Sequence, residues 1–135
     1  MYKNILVPVE LGHDDATHQA IEVARELRAK EGAITFLNVI EDLPGYASQY
    51  VSSDIRKSAL EETQDYLGSL EKEVPSSRSL VIHGHSARSI LDFADEHGID
   101  CIVIASHKPG VPDYFLGGTA ARVVRHAKCA VHVVR

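Results

Sequence analysis

Apolar residues along this chain recur with two alternating periods. Short, nearly continuous runs at Lys3–Val9, Ala33–Val39, Ser79–Ile82, Cys101–Ala105 and Ala130–Val134 are rich in β-branched and aliphatic residues. Such runs read as strands buried on both faces. Between them the apolar positions fall at helical spacing. Ala16, Ala20, Ile21, Ala24 and Leu27 form one stripe, opened by Asp14 and Asp15 as N-caps and closed by Gly32 just after Lys30. Ile55, Ala59, Thr63, Tyr66, Leu67 and Leu70 form a second, capped by Asp54 and stopped by Pro75. Ile90, Leu91 and Ala94 form a third between the Gly84–Ser86 turn and Gly98, and a fourth helix opens at Gly117 before the last strand. Residues 40–53, with Pro44, Gly45, Tyr46 and Tyr50, predict an irregular connection.

The order βαβαβαβαβ predicts an α/β fold in which helices cover both faces of a mostly parallel sheet through right-handed crossovers. In such sheets a ligand lies beyond the carboxyl ends of the strands, where the strand order reverses. With the first strand central, the reversal falls between strands one and four. Pro8, Val9 and Glu10 then share the mouth of one crevice with Ala105, Ser106, His107 and Lys108. The next helix begins at Gly117-Gly118-Thr119-Ala120. Its first-turn N–H groups lack helical acceptors, and together with the helix dipole they favour an anion.

Composition narrows the partners. The 135 residues suffice for one domain, 1–135, with a single core, and 44% hydrophobic and 24% charged residues are those of a globular chain. The formal net charge of −5 gives no overall attraction to nucleic acid or anionic membrane, so a phosphate has to be held by local geometry. There is no apolar run of bilayer length and no secretory pattern before the first strand, and Cys101 and Cys129 lack C-x-x-C spacing. The expectation is a cytoplasmic protein with buried thiols, without nucleic-acid or membrane partners.

Catalytic and metal signals are weak. His83 and His85 alternate at a strand end but have no acidic or cysteine partner at supporting spacing, so they read as a turn. No Ser/His/Asp order, paired-carboxylate spacing or P-loop stands out. A binding module is expected rather than an enzyme, and any hydrolysis is expected to be slow. The apolar strand Ala130–Val134, as a sheet edge, is the expected surface for a homodimer.

Ile5-Leu-Val-Pro-Val-Glu10, Phe36-Leu-Asn-Val-Ile40, Asp100-Cys-Ile-Val-Ile-Ala-Ser-His107, Leu116-Gly-Gly118 and Val123–Val134 together resemble the universal stress protein family, most of all its F and G branch. The resemblance runs in order over almost the whole chain. It implies a Rossmann-like domain of five parallel strands with four helices, usually a homodimer, with ATP bound in one subset and Mg²⁺ accompanying the phosphates. AMP is the alternative nucleotide. In that subset a Gly-x2-Gly-x9-Gly-Ser/Thr pattern holds the phosphates. Here Ala105 and Lys108 stand at the first two glycines, and Gly117-Gly118 stand at Gly-Ser when the downstream helix sets the register. Glu10 replaces the usual Asp. Losing one hydroxyl bond to a charged phosphate costs about 1.5–3 kcal/mol against about −8 kcal/mol for micromolar binding, so the backbone cradle survives. Lys108 adds a cation, and Pro109 holds it extended. On this reading Val9, Glu10 and Val39 hold the nucleoside, while Ala105–Lys108 and Gly117–Ala120, including Thr119, hold the phosphates. The alternative is a dimeric protein-interaction module of the same fold that binds no nucleotide.

Overall fold

Ile5, Leu6 and Val7 of the first strand are all fully buried. Successive strand side chains point to opposite faces, so a run buried throughout requires cover on both. The cover follows in a computed structural model, which describes residues 1–106 and 116–135. Its elements are β1 (Tyr2–Pro8), α1 (Asp14–Leu27), β2 (Arg28–Ile40), α2 (Gly45–Ser48), α3 (Ser53–Glu73), β3 (Ser77–His83), α4 (Ser86–Glu96), β4 (Cys101–Ala105), α5 (Gly118–His126) and β5 (Ala130–Val134). Ile5 and Val7 pack with Ala20, Ile21 and Ala24 of α1 and Leu67 and Leu70 of α3. Leu6 packs on the other face with Ile90, Phe93 and Ala94 of α4 and Ala120 and Val123 of α5.

All strands pair in parallel in the order β3-β2-β1-β4-β5. The chain builds outward from β1 through β2 to β3, then returns to place β4 and β5 on β1's other side. The order therefore reverses between β1 and β4, as the alternation of elements implied. Asp100 secures this junction, its carboxylate oxygens accepting from the backbone N–H groups of Lys3 and Asn4, both at 2.9 Å. No helix among the described residues is long and apolar enough to cross a membrane.

The structure departs from the sequence expectations in five places. Asp14 and Asp15 do not cap α1 but sit in its first turn, with His13 at the N-cap. A fifth helix, the short α2, occupies part of the connection expected to be irregular, its first turn closed by Ala47 and Ser48 N–H groups donating to the Pro44 carbonyl at 2.8 and 3.0 Å. Ser52, not Asp54, caps α3: its Oγ accepts from the Ile55 N–H at 3.2 Å, while Asp54 sits in the first turn against the helix dipole. Ile55 and Ala59 are exposed, and the buried stripe of α3 begins only at Thr63. The 21 residues of α3 span about 31 Å, longer than the seven-residue β3 beside it at about 23 Å, so its first turns overhang the sheet. Leu91 of α4 is half-buried, and Phe93 fills the inward position instead.

The fifth departure is Gly32, which lies inside β2 and does not end α1. Arg28 is already extended (ψ 132°), and β1–β2 pairing jumps from Tyr2–Arg28 to Asn4–Ala33, so β2 bulges between them. A Cβ on Gly32 would stand 2.8 Å from the Tyr2 carbonyl oxygen and 3.1 Å from that of Ala29. The glycine is there because backbone passes over it.

Cys101 faces the α1/α3 side, whereas Cys129 is half-buried on the α4/α5 side, so the sheet separates the two thiols. Burial pushes Cys101 up to about 11 and moves Cys129 in the same direction. Both are protonated at neutral pH and poor nucleophiles.

Gly32→Ala forces two backbone oxygens apart and is expected to cost about 1–3 kcal/mol, read as a lower urea midpoint. An unchanged midpoint contradicts the close-approach reading.

Candidate functional site

At the carboxyl ends of β1, β2 and β4 a cavity of about 260 Å³ opens between α1 on one face and α4 and α5 on the other. It approaches the small end of ligand sites, about 300 Å³. The sheet supplies the floor. β1 ends at Pro8, and the chain continues through Val9 and Glu10 into the crevice. Val9 N–H still donates to the Leu37 carbonyl at 2.9 Å, and Asn38 Nδ2 donates to the Val9 carbonyl, also at 2.9 Å. The buried Asn38 side chain thus extends the β1–β2 contact past the end of the strand and fixes the direction in which Glu10 leaves it. On the β4 side Ser106 is likewise held, its N–H and Oγ both donating to the Val134 carbonyl at 2.9 and 3.3 Å.

Of the residues singled out in the sequence, Pro8, Val9, Glu10, Val39, Ala105, Ser106, Gly117, Gly118, Thr119 and Ala120 all line this one cavity. His107 and Lys108 lie outside the described residues. Sequence reasoning missed His13, Thr17 and Ser86, which also line it. His13 Nε2 stands 3.6 Å from Glu10 Oε2, a spacing that the i, i+3 pair at a strand-to-helix turn could have suggested. Thr17 had been overlooked among the neighbouring stripe positions of α1, although its hydroxyl-bearing side chain is buried against the cavity. Among the described residues the Tyr66 hydroxyl has no partner at hydrogen-bonding geometry; its burial raises its pKa, with the nearby Thr17 hydroxyl pulling the other way.

The helix N-termini around the cavity are not equivalent. α1 carries Asp14 and Asp15 in its first turn, and Ser86 N–H at the start of α4 donates to Glu41 Oε1 at 3.2 Å. α5 has no acidic residue in its first turn and, among the described residues, no side-chain cap. Its first helical bond is Ala121 N–H to the Gly117 carbonyl at 2.8 Å, so the N–H groups of Gly118, Thr119 and Ala120 have no helical acceptor. This end of α5 is where the cavity favours negative charge. Gly117 lies close to β4, since a Cβ there would be 3.3 Å from the Ser106 carbonyl oxygen. Gly118 is different: its φ is ordinary and a Cβ would meet open space.

His83 ends β3, and neither it nor His85 lines this cavity. His85 is the N-cap residue of α4, and its Nε2 stands 3.1 Å from Arg122 Nη1. Among the described residues no group of three His, Cys, Asp or Glu could hold a metal ion.

Comparison with known proteins gives one consistent answer. The model of the Universal stress protein family matches residues 1–135. Universal stress protein G of Shigella flexneri is 30% identical, with 100% of each chain covered. The universal stress protein UspA from Lactobacillus plantarum superposes with a TM-score of 0.74 at 26% identity, over 99% of this chain and 98% of its own. The universal stress protein from Archaeoglobus fulgidus, solved in complex with dAMP, gives a TM-score of 0.68 at 23% identity over 99% and 98%.

Asn38→Leu removes the donor to the Val9 carbonyl and is expected to destabilise the fold by about 1–3 kcal/mol, measured by urea unfolding. Wild-type stability in this variant shows that the bond does not secure the exit of β1.

Proposed function

The chain belongs to the universal stress protein family, and from that premise we propose that its cavity binds an adenine nucleotide, ATP or AMP, as a regulatory module of the stress response. The observation that carries this reading is the uncapped N-terminus of α5 at one end of a cavity whose remaining floor is apolar. Phosphate oxygens accept from the N–H groups of Gly118, Thr119 and Ala120, with the Thr119 hydroxyl beside them. The ring lies over Pro8, Val9 and Val39, and Glu10 meets the ribose hydroxyls. Mg²⁺ travels with the triphosphate rather than in a protein cage. The dAMP complex of the Archaeoglobus fulgidus relative supports the ligand class. Turnover is not the purpose of the site on this reading, and ATP hydrolysis stays near background.

Titration with AMP and ATP is expected to raise the melting temperature, the stabilisation reaching about 2.7 kcal/mol at a hundred times Kd. Gly118→Ser, which the open space around that position admits, is expected to tighten binding by roughly tenfold or more, the worth of a hydroxyl bond to a charged phosphate. A melting temperature indifferent to millimolar nucleotide favours the protein-interaction reading, which the missing hydroxyl at Gly118 and Glu10 in place of Asp would suit.

Homodimerisation is part of the proposal. β5 is hydrogen-bonded only to β4 and closes one side of the sheet, so its outer edge is open among the described residues. Analytical ultracentrifugation is expected to show a dimer that Val133→Pro dissociates; a monomer at high micromolar concentration rejects this interface.

A further inference from the structure

Of the residues that β2 and α4 contribute to the cavity (Leu37, Val39, Ser86 and Ile90), Ser86 is the one with a polar side chain. Its hydrogen-bonding direction is already decided. Ser86 Oγ donates to Glu41 Oε1 at 2.9 Å, and the Ser86 N–H donates to the same oxygen at 3.2 Å. A serine hydroxyl has one proton and two acceptor sites, whereas a carboxylate only accepts. With its proton committed to Glu41, Ser86 Oγ can offer an entering ligand only lone pairs.

The sheet places this acceptor at a particular end of the cavity. The strands that floor it run in the order β2, β1, β4. The anion-favouring end of α5 lies beside β4, where Gly117 packs close to Ser106. β2 is on the far side of β1, with Val39 lining the cavity there, and α4 packs over β2. A nucleotide whose phosphate rests on α5 therefore directs its ring toward β2 and Ser86.

We propose that Ser86, held as an acceptor by Glu41, selects a ring that carries an exocyclic amino group, and so an aminopurine over an oxopurine. The inference rests on the nucleotide reading above. An amino group donates to Ser86 Oγ. An oxo group at the same ring position sets lone pairs against lone pairs and leaves both without a donor, which is how a polar site rejects a near-isostere.

Calorimetric titration of AMP and IMP into the wild type, Ser86→Ala and Glu41→Ala tests this. The wild type is expected to prefer AMP by about tenfold, the worth of one neutral hydrogen bond. Both variants bring the ratio toward one, from opposite directions. Ser86→Ala does so by weakening AMP. Glu41→Ala does so by strengthening IMP, because the released hydroxyl can turn to donate to the oxo group. A role confined to capping α4 would weaken both nucleotides together and leave their ratio intact. Equal wild-type affinities for AMP and IMP, or a ratio unmoved in both variants, overturn the assignment and leave the nucleotide reading standing. Failure of the wild type to bind either nucleotide overturns both.

Discussion

β1 is hydrogen-bonded along both edges and covered on both faces, and the rest of the structure is arranged around that constraint. Where it is so enclosed the strand carries only apolar side chains, Ile5, Leu6 and Val7, while Lys3 and Asn4 lie at its exposed start. Polar chemistry is therefore displaced beyond its end, to Glu10 and the residues that follow. Because α3 after β2 packs on one face of the sheet and α5 after β4 on the other, the described residues leave a gap between the ends of these strands. The cavity is a consequence of strand order, and its floor of Pro8, Val9 and Ala105 is the core of the fold reaching the surface.

Around this gap the helix N-termini divide the electrostatic work. α3 is satisfied by Ser52, α1 has two aspartates in its first turn, and α4 is met by Glu41. Each of these ends has a negative or hydroxyl oxygen of the protein's own. Among the described residues α5 has no carboxylate and no capping hydroxyl, and it opens on the cavity with glycines in its first positions. The polarity of any bound nucleotide follows from this difference, since a phosphate competing for α4 would meet the Glu41 carboxylate. The same carboxylate turns Ser86 into an acceptor, so one side chain sets both where the anion does not go and what the opposite end of the ligand must donate.

Much of this was legible in the residues. Continuous apolar runs gave the strands, and helical spacing gave the principal helices, because burial on two faces or one leaves different periods. The cavity-lining residues at the ends of β1 and β4 were reachable from strand order, and those at Gly117–Ala120 from the helix start. Gly32 was misread because a glycine after a helical stripe usually ends it; only the closeness of the Tyr2 carbonyl explains why this one sits in a bulge. Ile55 and Ala59 keep helical spacing but lie on turns that outrun the sheet, which no periodicity records. His13 and Ser86 escaped notice because each looks like an ordinary turn residue until the elements are packed.

The sequence by itself determined the order of the strands and of the four long helices, the parallel sheet and the family resemblance, because these depend on local spacing and on which residues must leave water. Tertiary structure decided the hydrogen-bond partners. That Asn38 holds Val9, that Glu41 orients Ser86, and that α5, unlike α1 and α4, meets no carboxylate at its start among the described residues are facts about side chains 29 and 45 residues from their partners, or about how a helix end is packed. Spacing along a chain fixes which face a residue is on. Only packing brings a donor within reach of its acceptor.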